Sequence, residues 1–385
     1  MPLPYSCAKR GNAGAEVYHQ KGGSKYAENP KKIRSILEEK QIDAILIKSR
    51  SNKRYLGALT GSGVKVLVTR DELYQIMDGR YSNEARETTS GFIPVVHEQG
   101  NSYLDEVVRL LGSHARIGIE AGQVLVKEYL SMQEYGLKTV LLEHELEEAR
   151  RCKDAQEIAL VRKACEITDA IFQETISTIR IGMKETEVSA LLQYLAIKNG
   201  ASAMAFDTIV ASGVRGSMPH GRPSEKTFEA HEFITIDFGI TYQGYQSDMT
   251  RTVCIREPQP KLKKIYDIVL QAQCAGVDFI KAGVKGKDVD AYVRGIIQEQ
   301  GYGQYFTHGL GHGMGMGDGE LPMLNAGSDT VLEEGMIMSC EPGIYIPGLG
   351  GVRIEDDVLI ENGRGVPLNA TTKELIILEG NGYEV

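Results

Sequence analysis

An internal repeat in the second half of the chain constrains its fold more than any other feature of the sequence. Residues 179–190 read IRIGMKETEVSA, and residues 280–291, which lie 101 positions later (280 minus 179), read IKAGVKGKDVDA. Gly200 and Gly301 follow the two copies at the same spacing, and glycine commonly ends a helix. Because repeated units pack against each other, we expect two similar halves, each a helical unit followed by strands, about a pseudo-two-fold axis.

Each half also contains a pair of acidic residues. Asp237 and Asp248 belong to the first half, and Glu341 and Glu355 belong to the second. If the halves pack about a two-fold axis, the four carboxylates converge between them. Crowded carboxylates cannot all remain ionised unless cations neutralise them, and two divalent ions carry the matching charge. The sequence therefore predicts a site for two metal ions.

The pattern around these acids is that of strands and turns. Apolar residues alternate along the segment that ends at Asp237, and Gly244 supplies a turn before the strand through Asp248. We therefore expect Asp237 and Asp248 to meet across a hairpin. In the second half an apolar strand ends at Glu341, and prolines and glycines then turn the chain toward Glu355.

A glycine-rich segment at 307–317 contains His308 and His312. Its glycines permit close approach of the backbone to a ligand. A phosphate-binding loop is the competing interpretation, but no Lys-Ser or Lys-Thr pair follows the segment. Carboxylate oxygens with a single imidazole suit Mn²⁺, Co²⁺, Fe²⁺ or Zn²⁺. His220 lies in a loop before the first acidic pair, and its position alone leaves a surface role and a ligand-binding role open.

Composition limits the classes of partner. The formal net charge of -9 over 385 residues argues against nucleic acid or an anionic membrane as the main partner. The six cysteines lack metal-binding spacing and are expected to be buried thiols. No stretch has the length of a membrane span, and the first thirty residues lack an apolar secretory core, so we expect a cytoplasmic location.

The chain before the repeat divides into an extension and a domain. Residues 1–28 are rich in glycine, show little apolar periodicity and indicate no function. Residues 29–150 alternate helical and strand patterns, as in an α/β domain. The predicted elements are a helix carrying Ile33, Ile36, Leu37 and Ile42 and buried strands at 44–47, 65–68 and 117–119.

A strong helix start marks the second domain. Asp154 and Glu157 have the spacing of a capping box ahead of a long apolar pattern. We place the domain boundary just before this helix, so that the second domain, of α+β class, comprises residues 151–385.

Several ordered segments of the chain resemble a known family. They are 219–221 (PHG), 237–239 (DFG), 247–252 (SDMTRT), 308–313 (HGLGHG), 341–343 (EPG) and 352–356 (VRIED). Together they resemble the metallopeptidases with the pita-bread fold, in the branch of Xaa-Pro aminopeptidases and prolidases. The segments 29–47, 54–62 and 78–81 resemble the creatinase-type N-terminal domain of that branch, so the resemblance covers residues 29 to 385.

The resemblance implies a role for each metal ligand. Asp237 would chelate one ion, Asp248 and Glu355 would bridge both ions, and His312 with Glu341 would complete the other. It also implies that the protein binds two divalent ions, with Mn²⁺ as the first expectation and Co²⁺, Zn²⁺ or Fe²⁺ as alternatives. The resemblance further implies a homodimer.

Further roles are implied for the pocket. Glu341 would act as general acid and base for the attacking water. His220 and His308 would hydrogen-bond the substrate or its tetrahedral intermediate, and Tyr345 and Arg353 would support the pocket wall and the bridging carboxylates.

One position departs from the family pattern. Family members usually carry a His-Glu pair a few residues after the glycine-rich motif, and here Gly319 takes the place of that histidine while Glu320 is retained. Losing one preorganised donor typically costs ~10²–10³-fold in rate. Asp318 or another group is expected to substitute if hydrolysis is efficient.

Three functions follow from these observations. The resemblance implies a dinuclear metallohydrolase that cleaves the Xaa-Pro bond of short proline-containing peptides. A relative that acts on a non-peptide small molecule is the first alternative, because Gly319 opens space for another group. A metal-binding protein with weak or no peptidase activity is the second.

Overall fold

The structure is a computed structural model that describes residues 29–317 and 320–380. The predicted extension at 1–28 and the substitution at Gly319 lie outside the described residues. The chain divides into two compact units, one that runs to Glu143 and one that begins at His144. The domain limits at residues 150 and 151 stay a prediction.

The first unit is a six-stranded sheet with helices. Its helices are α1 (Asn29–Lys40), α2 (Arg50–Tyr55), α3 (Ser82–Thr88), α4 (Tyr103–Leu111) and α5 (Val126–Glu134). Its strands are β1 (Ala44–Ile47), β2 (Lys65–Thr69), β3 (Leu73–Met77), β4 (Ile93–Val96), β5 (Arg116–Glu120) and β6 (Lys138–Leu142), in the order β4-β3-β2-β1-β5-β6. The three strands predicted from the sequence are confirmed. The first helix ends at Lys40, so Ile42 is buried beyond it rather than within it.

The helices of the second unit reproduce the sequence repeat. They are α6 (Glu145–Arg150), α7 (Ala155–Ile176), α8 (Glu185–Lys198), α9 (Pro260–Phe279) and α10 (Gly286–Glu299). The bounds of α8 and α10 differ by the offset of the repeat, and the glycines after them have φ of +92° and +83°. Asp154 and Glu157 form the predicted capping box of α7.

In the part of the second unit that the structure describes, the strands form four small sheets. They are β7 (Ala203–Met204), β8 (Ile209–Ser212), β9 (Phe233–Phe238), β10 (Ile240–Tyr242), β11 (Tyr245–Gln246), β12 (Met249–Ile255), β13 (Ile337–Cys340), β14 (Gly343–Ile346), β15 (Gly350–Arg353), β16 (Asp356–Glu361), β17 (Arg364–Pro367) and β18 (Ile376–Leu378). The sheet orders are β18-β12-β9-β8, β11-β10-β7, β13-β16-β17 and β14-β15.

Each helical pair shares a core with the strands of its own half. One apolar cluster contains side chains of α7, α8, β9 and β12, and another contains side chains of α9, α10, β13 and β16. Phe233 of β9 and Cys254 of β12 also belong to the second cluster, so the two halves share part of their packing. The two acidic pairs thus lie in or at the ends of strands that pack mainly against different helical pairs. The prediction of two similar halves is confirmed in this sense.

Candidate metal centre

Three buried carboxylates meet where the two halves adjoin. One oxygen from each of Asp237, Asp248 and Glu355 lies within 4.8 Å of the others. The residues are 6%, 6% and 1% exposed. Such a cluster within one buried volume is electrostatically unfavourable without a compensating cation.

Strand pairing explains why these carboxylates meet. β9 and β12 are antiparallel, with Asp237 opposite Thr250, and Asp248 immediately precedes β12. Glu355 lies between β15 and β16, and its backbone N–H donates to the carbonyl of Thr250 across 3.1 Å. The prediction that Asp237 and Asp248 meet is confirmed, although Asp248 and Glu355 lie at strand ends rather than within strands.

His312 and Glu341 lie beside the three carboxylates. Nε2 of His312 is 3.7 Å from an oxygen of Asp248 and 3.6 Å from an oxygen of Glu341. The hydroxyl of Ser339 accepts from the backbone N–H of His312 (3.0 Å) and donates to Glu341 (3.1 Å). The structure therefore brings together all five residues that the sequence predicts as metal ligands.

The electrostatics of the cluster fit a bound cation. Burial, followed by the charge of Glu355, raises the pKa of Asp248 well above its ordinary value. Burial, followed by the charge of Glu341, does the same to the pKa of Glu355. Oδ1 of Asp237 and Oδ1 of Asp248 are buried without a hydrogen-bond partner in the described part of the chain. Carboxylate oxygens that lack donors are the ligands that a divalent ion needs.

A chain of hydrogen bonds leads from Asp237 to His308. Nη2 of Arg353 pairs with Asp237, and Nη1 of Arg353 donates to the hydroxyl of Tyr345 across 2.8 Å. Tyr345 and Nε2 of His308 are 2.8 Å apart, and Nδ1 of His308 is 2.7 Å from the carbonyl of Gly309. Burial lowers the pKa of His308 and raises the pKa of Tyr345 to about 12.

His220 lies at the same cavity as these residues. The cavity has a volume of about 630 Å³, and its lining includes His220, His308 and the five predicted ligands. The backbone carbonyl of Pro219 accepts from Arg353 across 3.1 Å and so ties the loop before His220 to the second half. All the predicted site residues thus line the cavity or contact residues that do.

Several residues that contact the predicted ligands were not predicted from the sequence. The hydroxyl of Thr250 donates to Glu355 (2.5 Å) and accepts from Arg353 (3.1 Å). Asp357 accepts from the backbone N–H of Asp248 across 2.8 Å, and burial raises its pKa to about 7. Alternation along the strand would have placed Thr250 on the face of Asp248, but nothing local in the sequence indicated a role for Asp357.

Two family models match the chain. The model of metallopeptidase family M24 matches residues 159–362, and the model of the creatinase/prolidase N-terminal domain matches residues 30–152. The chain therefore belongs to metallopeptidase family M24 and combines a creatinase-type N-terminal domain with a pita-bread catalytic domain. The family consists of dinuclear metal-dependent enzymes, and the acidic cluster described above could hold such metal.

Known proteins resemble the chain over most of its length. The chain is 39% identical to the Xaa-Pro dipeptidase of Pyrococcus horikoshii, across 91% of this chain and 99% of that protein. The structure of the Xaa-Pro dipeptidase from Bacillus anthracis is 42% identical and has a TM-score of 0.87, with 92% of this chain and all of that chain covered. The X-Pro aminopeptidase from Thermotoga maritima is 36% identical, with a TM-score of 0.80 over 88% of this chain and 98% of that one.

Among residues 29–317 and 320–380, no helix combines the length and apolarity needed to cross a bilayer.

Proposed function

We propose that this chain hydrolyses the Xaa-Pro bond of short peptides and that it uses two bound divalent ions, with Mn²⁺ as the first expectation. The observation that carries the proposal is the convergence of the five predicted ligands at one cavity that His220 and His308 also line. The similarity to Xaa-Pro dipeptidases over nine tenths of the chain supports the choice of bond.

The proposed ligands differ in the number of ions that each would contact. Asp248 and Glu355 would contact both ions, Asp237 would hold one, and His312 with Glu341 would hold the other. Bound ions of this kind act as Lewis acids and lower the pKa of water. The unpartnered oxygens of Asp237 and Asp248 support cation binding by these two residues, because each leaves a lone pair available to a cation.

Three side chains would act on the substrate itself. The side chain of Glu341 is 17% exposed, so its carboxylate can take a proton from the attacking water and return it to the departing nitrogen of proline. His220 and His308 line the cavity, where an imidazole N–H that faces the scissile carbonyl oxygen can stabilise the negative charge that develops there. Both ring nitrogens of His308 are engaged in the free protein, by Gly309 and Tyr345, so His308 would take this role by exchanging one of these contacts for the substrate. Tyr345 and Arg353 would hold His308 and Asp237 in place.

A peptide panel tests the proposal. Purified protein with Mn²⁺ or Co²⁺ is expected to release the N-terminal residue from Xaa-Pro dipeptides or tripeptides but not from matched peptides without proline. Asp248→Ala should abolish release, whereas Asp267→Ala, which removes an exposed carboxylate on α9, should not. If the wild-type protein binds two ions yet cleaves no Xaa-Pro peptide, the substrate proposal is wrong and the metal centre stands.

We also propose that the protein is a cytoplasmic homodimer. The family resemblance supports the dimer, and the free thiols of Cys152, Cys165, Cys254, Cys274 and Cys340 support a reducing compartment. Light scattering after size-exclusion chromatography tests the dimer, and cell fractionation tests the location.

A further inference from the structure

A buried ion cluster lies against the glycine-rich segment next to the metal centre. Nε of Arg150 is 3.0 Å from Oε1 of Glu320, and Nζ of Lys153 is 3.8 Å from Oε2 of the same carboxylate. The three side chains are only 1–2% exposed. Burying charges costs free energy even when they are paired, and removing one partner costs more. A buried ion cluster beside a functional site therefore indicates a specific structural role.

Glu320 holds the backbone of the glycine-rich segment. The N–H of Met316 donates to Oε1 of Glu320 across 2.9 Å. A Cβ at Gly315 would lie 2.8 Å from the carboxylate carbon of Glu320, so this position leaves no room for a side chain. A Cβ at Gly313 would lie 2.4 Å from the backbone of Leu321. The segment after His312 is thus folded back directly onto the residues around Glu320.

The same segment is hydrogen-bonded to the hairpin that carries Asp248. The N–H of Gln246 donates to the carbonyl of Gly315 across 2.7 Å, and Gln246 lies two residues before Asp248. His312 belongs to the glycine-rich segment and lies three residues before Gly315. The separation of His312 from Asp248 therefore depends on how Gly315 is held.

The hairpin also contacts the beginning of α7, close in sequence to Lys153 of the ion cluster. The hydroxyl of Tyr245 donates to the carboxylate of Glu157 across 2.8 Å. Burial lowers the pKa of Lys153, and the charges of Glu320 and then Glu157 act in the opposite direction, which places Lys153 in the field of both acids. The cluster thus connects the glycine-rich segment, the hairpin and the beginning of α7.

We propose that Glu320 is a positioning residue of the metal centre: held by Arg150 and Lys153, it fixes the glycine-rich segment so that His312 and Asp248 keep the spacing of metal ligands. The inference rests on the proposed metal centre. Glu320 itself touches neither metal nor substrate in this assignment. Its effect is transmitted through Met316, Gly315 and Gln246, and charged partners of this kind orient ligands in many metal sites.

The test compares variants of the full-length protein for metal binding as well as stability. Glu320→Gln keeps the size of the side chain and removes its charge, while Glu320→Asp keeps the charge. Arg150→Lys keeps the positive charge but removes the Nε–H group that donates to Glu320. Glu232→Gln is the matched control, because it neutralises a half-buried carboxylate that pairs with Lys226 outside the cluster. The measurements are thermal unfolding, Mn²⁺ affinity by calorimetry and the visible spectrum of Co²⁺-loaded protein.

Glu320→Gln is expected to weaken Mn²⁺ binding about 10–100-fold and to change the Co²⁺ spectrum. Glu320→Asp should recover part of the affinity, and Glu232→Gln should lower only the unfolding temperature. The proposal is overturned if Glu320→Gln lowers the unfolding temperature but keeps wild-type affinity and spectrum. If Glu320→Gln does not fold, Arg150→Lys decides, since unchanged binding there overturns the proposal equally. A wild-type protein that binds no Mn²⁺ would instead contradict the proposed metal centre.

Discussion

Tyr345 donates its hydroxyl hydrogen to Nε2 of His308 across 2.8 Å. The direction follows from the neighbours of both groups. Arg353 has only N–H donors, so Tyr345 accepts from it and is left with its own hydrogen to donate. Nδ1 of His308 faces the carbonyl of Gly309, which can only accept, so the hydrogen of the neutral imidazole lies on Nδ1.

This arrangement predicts the effect of Tyr345→Phe on His308. The tyrosine hydroxyl stabilises the neutral imidazole, and burial already lowers the pKa of His308. Removing the hydroxyl should therefore raise that pKa. Histidine NMR titrations measure it, with His308→Gln used to assign the resonance. His97 lies in the first unit, away from Tyr345 in the sequence, and its resonance serves as the control. A lowered or unchanged pKa of His308 would contradict the assigned direction.

Removal of metal should destabilise the protein more at high pH than at low pH. Burial and then Glu355 raise the pKa of Asp248 in the folded state, and burial and then Glu341 raise the pKa of Glu355. The folded metal-free protein therefore binds more protons than the unfolded chain once the pH exceeds about 4, and its free energy of unfolding falls as pH rises. Metal ions replace those protons and remove the penalty.

The measurement is the unfolding temperature in EDTA and in Mn²⁺ at about pH 5.5 and about pH 8. For the wild-type protein, the increase in unfolding temperature from EDTA to Mn²⁺ should be larger at the higher pH. For Asp248→Ala, this increase should be small at both pH values. If this increase in the wild-type protein is equal or smaller at the higher pH, the buried carboxylates do not destabilise the metal-free protein.

Gly239→Ala should disturb the first acidic pair. Gly239 lies between β9 and β10, and a Cβ there would lie 1.8 Å from the backbone carbonyl oxygen of Ser247, the residue before Asp248. The hairpin must shift to admit the methyl group, at a cost of about 1–3 kcal/mol. We expect Mn²⁺ affinity to fall about tenfold or more, as for other residues that orient ligands. Calorimetric titration with Mn²⁺ measures this change.

Gly295→Ala provides the matched control for this substitution. Gly295 lies within α10, and a Cβ there would have no atom within 4 Å. Alanine in a helix is favoured over glycine, so the variant should gain about 0.5–1 kcal/mol with unchanged Mn²⁺ affinity. Equal Mn²⁺ affinity in the two variants would contradict the role assigned to the Gly239 turn.

Gly319→His should increase Xaa-Pro hydrolysis if the glycine represents the loss of a catalytic donor. The expected gain in kcat is up to ~10²–10³-fold, the usual contribution of one preorganised donor. Gly319→Ala tests whether a gain in kcat comes from the imidazole or from the presence of any side chain at this position. If neither variant exceeds the wild-type rate, this chain supplies the missing donor elsewhere or acts on a substrate that does not need it.

Much of the second unit follows from local features of the sequence. The repeat predicts α8 and α10, because the two copies share apolar spacing and terminal glycines. The capping pair Asp154 and Glu157 predicts the start of α7, because both groups satisfy backbone N–H groups within one turn. These interactions join residues close in sequence and are therefore readable from it.

The five proposed ligands were also indicated by the sequence, since buried carboxylates that meet need a compensating cation. Their spacing was decided only by tertiary structure. Thr250 contacts Glu355 across 105 positions of chain, and Glu320 meets Arg150 across 170 positions. Such contacts depend on the packing of distant segments, and no local pattern encodes them. The sequence thus determined which chemical groups the site contains, and the fold determined how they are held.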